Sequence, residues 1–296
     1  MIKGTTKLLG IIGDPVEHSL SPVMHNAAIS HLGVDYVYLP FRLKREDLKV
    51  ALSGFAAIGV QGFSITIPHK QAILPLLSEV SKIAQAVGAV NTVYRTESGW
   101  GGTNTDVEGF LAPLKSPLFL KNQGDWRQKV AVILGNGGAA RAVVAGCAEL
   151  GCAEIHILGR SEQKLLEFQD SWTDSPVPVK LQVHGWENLS HFIAQADLLV
   201  NTTPIGMHPH GEDSPVSEAV MESLKVGAIA YDLIYTPNPT QFLKQAKRQG
   251  ATAVDGLEML VQQGAAAFKI WLQQPAPVEV MRQSLRQHLG LDAQEG

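Results

Sequence analysis

The stretch KVAVILGNGGAARAVVAGCAELG, residues 129 to 151, constrains what this chain can fold into more than any other. VAVIL is a near-continuous apolar run, the pattern of a strand buried on both faces in a parallel sheet covered by helices. It leads into GNGGAA at 135 to 140 and then into a helical pattern, so the glycines stand between strand and helix in a GxGxxA arrangement. Gly135 permits a tight turn, Gly137 lets a pyrophosphate approach the backbone, and Ala140 lets the helix pack closely, with Asn136, Gly138 and Ala139 completing the loop. The N–H groups at the start of the helix favour phosphate. A packing turn is the bland reading of the string, and the two flanking elements favour a dinucleotide site over it.

Downstream the alternation continues through EIHILG, the helical SEQKLLEFQDSW, a variable stretch, DLLVNTTPIGM and AIAYDLIY, which is a doubly wound pattern. An NAD site places an acid at the end of the second strand, whereas this strand ends ILGRSEQK. Arg160 can lie against adenine and fork its donors onto a 2′-phosphate, and Ser161 and Lys164 add a hydroxyl and a second cation. NADP(H) is therefore the expected cofactor, although Lys164 reads equally well as a solvated helix charge.

Upstream, KLLGIIG, SPVMHNAAISHLG, DYVYLPFRL, EDLKVALSGFAAIG and GFSITIP alternate in a way that predicts parallel βαβ units, with a helix after Lys70. Ser21 before Pro22 reads as a helix cap and Gly33 as the matching stop. Residues 91 to 106 read as strand, Gly-rich turn and short strand, and KSPLFLKNQGDWRQ at 115 to 128 as a polar surface loop. Helical spacing returns at 256 to 272 and again after Pro275 and Pro277. A chain of 296 residues, 45% apolar, can form two cores. Its formal charge of −4 gives no sign of a nucleic-acid or membrane partner. Cys147 and Cys152 read as buried, reduced thiols inside one helical pattern; neither they nor the histidines have metal-ligand spacing, and no metal is expected. The apolar runs stop well short of the ~20 residues that span a bilayer, and no cleavage pattern follows the first one, so a cytoplasmic protein is expected.

SLSP at 19 to 22, ITIPHK ending on Lys70, GAVNTV at 88 to 93, NTD at 104 to 106, GNGGAAR at 135 to 141, NTTPIGM at 201 to 207, YDLIY at 231 to 235 and DGLEMLVQQ at 255 to 263 together resemble the shikimate dehydrogenase family, in order and over nearly the whole chain. The resemblance implies an α/β enzyme with an N-terminal α/β substrate domain at 1–106, completed by C-terminal helices within 259–296. A Rossmann-type NADP-binding domain at 107–258 and an active site in the cleft between the domains follow from it too. The implied reaction is NADPH-dependent reduction of 3-dehydroshikimate to shikimate on the chorismate route to aromatic amino acids. Carried over by position, Ser19 and Ser21 would hold the substrate carboxylate, and Thr66, Asn91 and Gln263 would bond ring hydroxyls. Lys70 and Asp106 would be the catalytic pair in contact with substrate. Tyr235 would lie near substrate and cofactor, and Leu233 and Gly256 beside the cofactor. A homodimer is the assembly to consider.

The chemistry asks for these residue types. A polyhydroxy acid needs neutral donors and acceptors, and reduction of a ketone needs a side chain to place a proton on the forming alkoxide. A helix start opposes the charge of the Lys70 ammonium, while Asp106 favours and orients it. Each residue also has a plain reading, Ser19 and Ser21 as turn and cap, Thr66 as a strand residue, Asn91 and Asp106 as turn formers, and Gln263 as a polar helix position. Ser64 and Gly159 depart from the family, in which asparagine is frequent at both places. The rival readings are a quinate or quinate/shikimate dehydrogenase using NAD, which the resemblance associates with threonine at the position of Ser21, and a non-catalytic sensor of a shikimate-pathway ligand.

Overall fold

A computed structural model describes residues 2–117, 119, 124–173 and 175–291. In chain order the elements are β1 (Lys7–Gly13), α1 (Ser21–Leu32), β2 (Tyr36–Arg42), α2 (Leu48–Ala57), β3 (Gly62–Ile65), α3 (His69–Ala72), β4 (Glu79–Val80), α4 (Lys82–Val87), β5 (Thr92–Thr96), β6 (Gly99–Thr103) and α5 (Asp106–Leu114). There follow β7 (Val130–Leu134), α6 (Gly138–Leu150), β8 (Glu154–Gly159), α7 (Glu162–Asp170), β9 (Leu181–Gly185), α8 (Leu189–Ile193), β10 (Leu198–Asn201), α9 (Glu218–Met221), β11 (Ile229–Asp232), α10 (Gln241–Arg248), β12 (Thr252–Val254), α11 (Gly256–Leu272) and α12 (Val278–His288). They form two compact units, one of Met1–Gly109 with Leu260–Gly296 and one of Phe110–Met259. The end of the 259–296 segment and residues 118 and 120–123 of the loop expected at 115–128 lie outside the described residues.

The first unit holds a sheet of order β2-β1-β3-β5-β6-β4. β1 runs parallel to β2 and β3, but β5 is antiparallel to both β3 and β6, so the sheet is mixed rather than built of parallel units throughout. The cause is the two-residue link between β5 and β6, which is long enough only for a hairpin. Ile12, Phe63, Ile65, Val90 and Val93 form its apolar centre. Trp271 of α11 closes on Gly62, where a Cβ would meet the indole at 2.3 Å, and donates its N–H to the Val93 carbonyl at 2.9 Å.

Two local expectations change. Ser21 is the first helical residue of α1 and does not cap it; the hydroxyl of Ser19 accepts from the Ser21 N–H at 3.3 Å instead, and Gly33 ends the helix at φ +64° as its lack of a side chain permits. The helix after Lys70 is a single turn. Pro75 falls in a separate 3₁₀ turn, where it offers no N–H to continue the α-helical ladder.

The second unit holds a wholly parallel sheet of order β9-β8-β7-β10-β11-β12, the doubly wound arrangement whose order reverses between β7 and β10. The stretch read as variable contains β9, which pairs with β8 from Leu181 to Gly185. α6 ends at Leu150 with Gly151 at φ +80°, so Cys152 lies beyond the helix rather than inside its pattern. No helix among the described residues is long and apolar enough to cross a membrane.

Candidate active site

Lys70, Asn91 and Asp106 are far apart in sequence, and main-chain bonds of the first unit bring them together. The Lys70 carbonyl accepts from Val90 N–H at 2.8 Å, and Ile65 N–H donates to the Asn91 carbonyl at 2.8 Å, so the end of β3 and the start of β5 are tied. Asn104 joins the second motif to the first: its amide donates to the Ala89 carbonyl at 3.0 Å, and its side-chain oxygen accepts from Asp106 N–H at the start of α5. The Lys70 ammonium then meets Asp106 Oδ2 at 2.5 Å, with both side chains largely buried. Asn91 Nδ2 donates to Asp106 Oδ1 at 2.8 Å, so each carboxylate oxygen has a donor and the carboxylate is fixed in orientation.

The Asn91 amide is itself oriented, because its oxygen accepts from the Thr105 N–H, a group that can only donate, at 2.8 Å and from the Thr92 hydroxyl at 3.0 Å. Gln263 of α11 joins this cluster through a 3.4 Å bond from Asn91 Nδ2 to its side-chain oxygen, the longest in the group. An ammonium has three N–H donors, and one is taken by Asp106. The arrangement can present a protonated nitrogen, held by a buried carboxylate, to a substrate oxygen. Thr92, Asn104 and Thr105 were not singled out from sequence, although the NTV and NTD strings that contain them were.

Thr66 is half-buried just after β3; its methyl fills the space that a Cβ on Gly13 would occupy, at 2.4 Å. Ser21 is buried and Ser19 half-buried at the start of α1. Ser64 lies on β3 between Ile11 and Thr92. The buried phenol of Tyr38 on β2 is within electrostatic reach of the Ser64 and Ser21 hydroxyls, yet its oxygen has no hydrogen bond of good geometry. Burial raises the Tyr38 phenol far above its ordinary range, against a smaller opposing pull from those serines. Tyr38 stacks at 4.3 Å on His25, whose two ring nitrogens are buried without partners and which burial holds down to about 3.

In the second unit, the glycines of GNGGAA divide by function. Gly135 has φ +98°, and a Cβ there would meet Thr202 Oγ1 at 2.9 Å and Thr203 Cγ2 at 3.0 Å, so turn and packing both require glycine. Cβ atoms on Gly137 and Gly138 would meet nothing within 4 Å. Gly137 stands at the N-cap of the 13-residue α6 and, having no side chain, cannot itself cap the first N–H groups of the helix. This fits a pyrophosphate. Asn136 and Ala139 are half-buried beside it, and Ala140 is fully buried.

Beyond β8, Arg160, Ser161 and Lys164 are exposed, and no carboxylate stands among them until Glu162 on the first turn of α7. The Ser161 hydroxyl accepts from the Lys164 N–H at 3.5 Å as the helix cap, so it has a local task too. Gly159 is explained by space: a Cβ there would meet Leu165 at 2.8 Å and Asn136 Oδ1 at 3.4 Å. Gly256, opening α11, lets the chain pass Leu233, whose carbonyl oxygen would lie 2.2 Å from a Cβ. Tyr235 is half-buried, and burial raises its phenol above the ordinary value.

At the ends of β10 and β11, Asn201 and Asp232 form a buried network that sequence alone did not resolve. Asn201 donates to Asp232 at 3.0 Å and accepts from the Thr203 N–H and hydroxyl. Asp232 also accepts from Ile234 N–H and from the Thr240 hydroxyl at 2.7 Å. Burial raises its carboxyl to about 6 in spite of those donors. The network ties the loops after the two strands to each other, and the first of them, at Thr202 and Thr203, lies against Gly135.

The family model of the shikimate dehydrogenase substrate binding domain matches residues 11–93, and that of the shikimate 5′-dehydrogenase C-terminal domain matches 256–286. The shikimate dehydrogenase (NADP(+)) of Trichormus variabilis is 64% identical over 292 residues, 98% of this chain and all of the relative. That of Gloeothece citriformis is 60% identical over 98% of this chain and 99% of the relative. Among solved structures, shikimate dehydrogenase from Aquifex aeolicus is 37% identical with a TM-score of 0.84, covering 97% of this chain and all of that one. A shikimate dehydrogenase in complex with NADP+ gives 37% and 0.85, with 98% of each chain covered. The ligand-free 5-ketofructose reductase of a Gluconobacter species gives 33% and 0.83, over 97% of this chain and all of that one.

Proposed function

The chain belongs to the shikimate dehydrogenase family, and from that premise we propose that it catalyses the NADPH-dependent, reversible reduction of 3-dehydroshikimate to shikimate in the chorismate route to aromatic amino acids. The observation that carries the reading is the 2.5 Å contact of Lys70 with Asp106, whose other oxygen is held by Asn91. Bound NADPH supplies the hydride. Lys70 Nζ gives a proton to the oxygen that becomes the C3 hydroxyl and stabilises the negative charge developing there. Asp106 keeps that nitrogen aimed, and Asn91 keeps Asp106 aimed. In the reverse direction the same nitrogen takes the proton back.

Ser19 and Ser21 take the carboxylate through hydroxyls near the start of α1, and Thr66 and Gln263 take ring hydroxyls. Asn91 adds to these by exchanging its long bond to Gln263 for one to substrate. Tyr235 contacts substrate as a protonated phenol. Gly135 to Ala139 hold the pyrophosphate, Arg160 with Ser161 and Lys164 the 2′-phosphate, and Leu233 and Gly256 the remaining cofactor surface.

Initial rates of cofactor oxidation, measured with 3-dehydroshikimate, 3-dehydroquinate and 5-ketofructose against NADPH and NADH, test the reading. The highest kcat/KM is expected for 3-dehydroshikimate with NADPH. A higher value for 3-dehydroquinate with NADH, or for 5-ketofructose, contradicts it, and binding of shikimate without any turnover would revive the sensor.

A further inference from the structure

The C-terminus of α6 brings the two cysteines of the chain together, and neither has a task in the proposed reaction. Gly151 N–H donates to the Ala148 carbonyl and Cys152 N–H to the Cys147 carbonyl, both at 3.0 Å, around a left-handed Gly151. This pair of bonds is a Schellman motif, in which the residue after the left-handed glycine folds back onto the one five positions earlier and their side chains meet. Here those two residues are Cys147 and Cys152, so the motif sets one thiol-bearing residue against the other. A disulfide needs Cα atoms about 4.4–6.8 Å apart, and the 3.0 Å bond from Cys152 N–H to the Cys147 carbonyl draws the two backbones together.

The two thiols differ in access. Cys147 is fully buried, whereas Cys152 is partly exposed and lines a cavity of about 400 Å³ with Arg127, Pro178, Val179 and Lys180. The Cys152 thiol is lowered by its interaction with Cys147, with smaller help from its backbone bond and Lys129, and against its burial and the Asp197 carboxylate. The same interaction and burial raise Cys147. The outer thiol is the nucleophile of the pair, and Lys180 at the cavity, beside an Arg127 paired to Asp125, suits a reagent that carries carboxylates.

We propose that Cys147 and Cys152 are a reactive dithiol that exchanges with anionic low-molecular-weight disulfides of the glutathione type. The Cys152 thiolate attacks one sulfur of the reagent, whose S–S bond breaks, and one thiolate leaves as a mixed disulfide forms on Cys152. The Cys147 sulfur, losing its proton, attacks Cys152; the second thiolate leaves and a Cys147–Cys152 bond closes. The protein loses two electrons, the reagent gains two, and the two thiol protons end on the released thiolates. The product clamps the end of the helix whose other end carries the glycine loop.

The test is to treat the native, reduced full-length chain with oxidised glutathione and then measure intact mass and free thiols. Loss of both thiols with loss of two hydrogens and no adduct is expected. A Cys147→Ala variant should accumulate one glutathionyl group on Cys152, and a Cys152→Ala variant none. Limited iodoacetamide labelling of the unaltered chain gives the order of reactivity without any substitution, with Cys152 labelled before Cys147. Retention of both thiols under oxidised glutathione, an adduct that persists on the native chain, or labelling of Cys147 first would overturn the proposal.

Discussion

In the first unit the groups proposed to handle the proton are buried side chains that hold one another: Lys70 on Asp106, Asp106 on Asn91, Asn91 on Thr105. In the second unit the groups proposed to hold NADPH are backbone and empty space, with open Cβ directions at Gly137 and Gly138 and exposed cations at Arg160 and Lys164. A proton must be placed to within a hydrogen bond, and only a mutually constrained network does that. A pyrophosphate needs approach more than aim, so there the useful feature is what has been left out. Substitutions should therefore act through orientation in the first unit and through occupancy in the second.

The largest effect is expected for Asp106→Asn, which keeps the shape but removes the charge that holds Lys70. We expect kcat to fall by roughly 10²- to 10⁴-fold with a smaller change in the KM for 3-dehydroshikimate. Steady-state kinetics decide the point, and an equal loss in 1/KM alone would mean that Asp106 only binds.

Two buried groups, His25 in the first unit and Asp232 in the second, act on stability with opposite sign. His25 stays neutral in the fold until about pH 3, while the unfolded chain protonates it near 6.5, so stability present above 6.5 is lost as pH falls toward 3. Asp232 is protonated in the fold up to about pH 6 but in the unfolded chain only up to 3.8, so the stability it contributes below 3.8 is lost as pH rises through 6. Full shifts correspond to about 5 kcal/mol for His25 and about 3 kcal/mol for Asp232. Denaturant unfolding at a series of pH values should show weaker acid destabilisation in His25→Phe and a flatter response between these limits, in the opposite sense, in Asp232→Asn.

Within the glycine loop two substitutions should separate fold from binding. Gly135→Ala forces a side chain into left-handed backbone against Thr202 and should cost about 1–2 kcal/mol of stability from the conformation alone. Gly137→Val should leave unfolding unchanged and weaken NADPH binding, because its side chain enters open space. A calorimetric titration beside an unfolding curve distinguishes them. The smallest effect is Arg160→Ala, with NADPH affinity falling roughly ten-fold and NADH affinity hardly at all, as expected for one charged hydrogen-bonding partner of a phosphate.

The same contrast governs how far the sequence could be read. The glycine loop and the absence of an acid at the end of β8, where Gly159 and Arg160 stand, are local, and motif and flanks stand together within about thirty residues. The cluster around Lys70 draws on positions 70, 91, 104 to 106 and 263, which no periodicity links, and only the family resemblance joined them. Some local signals also misled. Ser21-Pro22 carries the composition of a cap, but Ser19 supplies the hydroxyl. The apolar pattern after Lys70 resembled a helix that Pro75 prevents. β9 was missed because LQVHG is short and half-polar, and its pairing with β8 supplies the order that its composition lacks. Tyr38 carried no sequence signal as a neighbour of Ser64, since the approach is made across strands.

Proton handling is proposed to reside in Lys70 and cofactor binding elsewhere. Lys70→Ala, measured for both NADPH affinity and turnover of 3-dehydroshikimate, tests it most directly. NADPH affinity should match that of the unaltered protein, while kcat falls by roughly 10²- to 10⁴-fold. Normal turnover in that variant, or turnover lost only because NADPH no longer binds, would contradict the account.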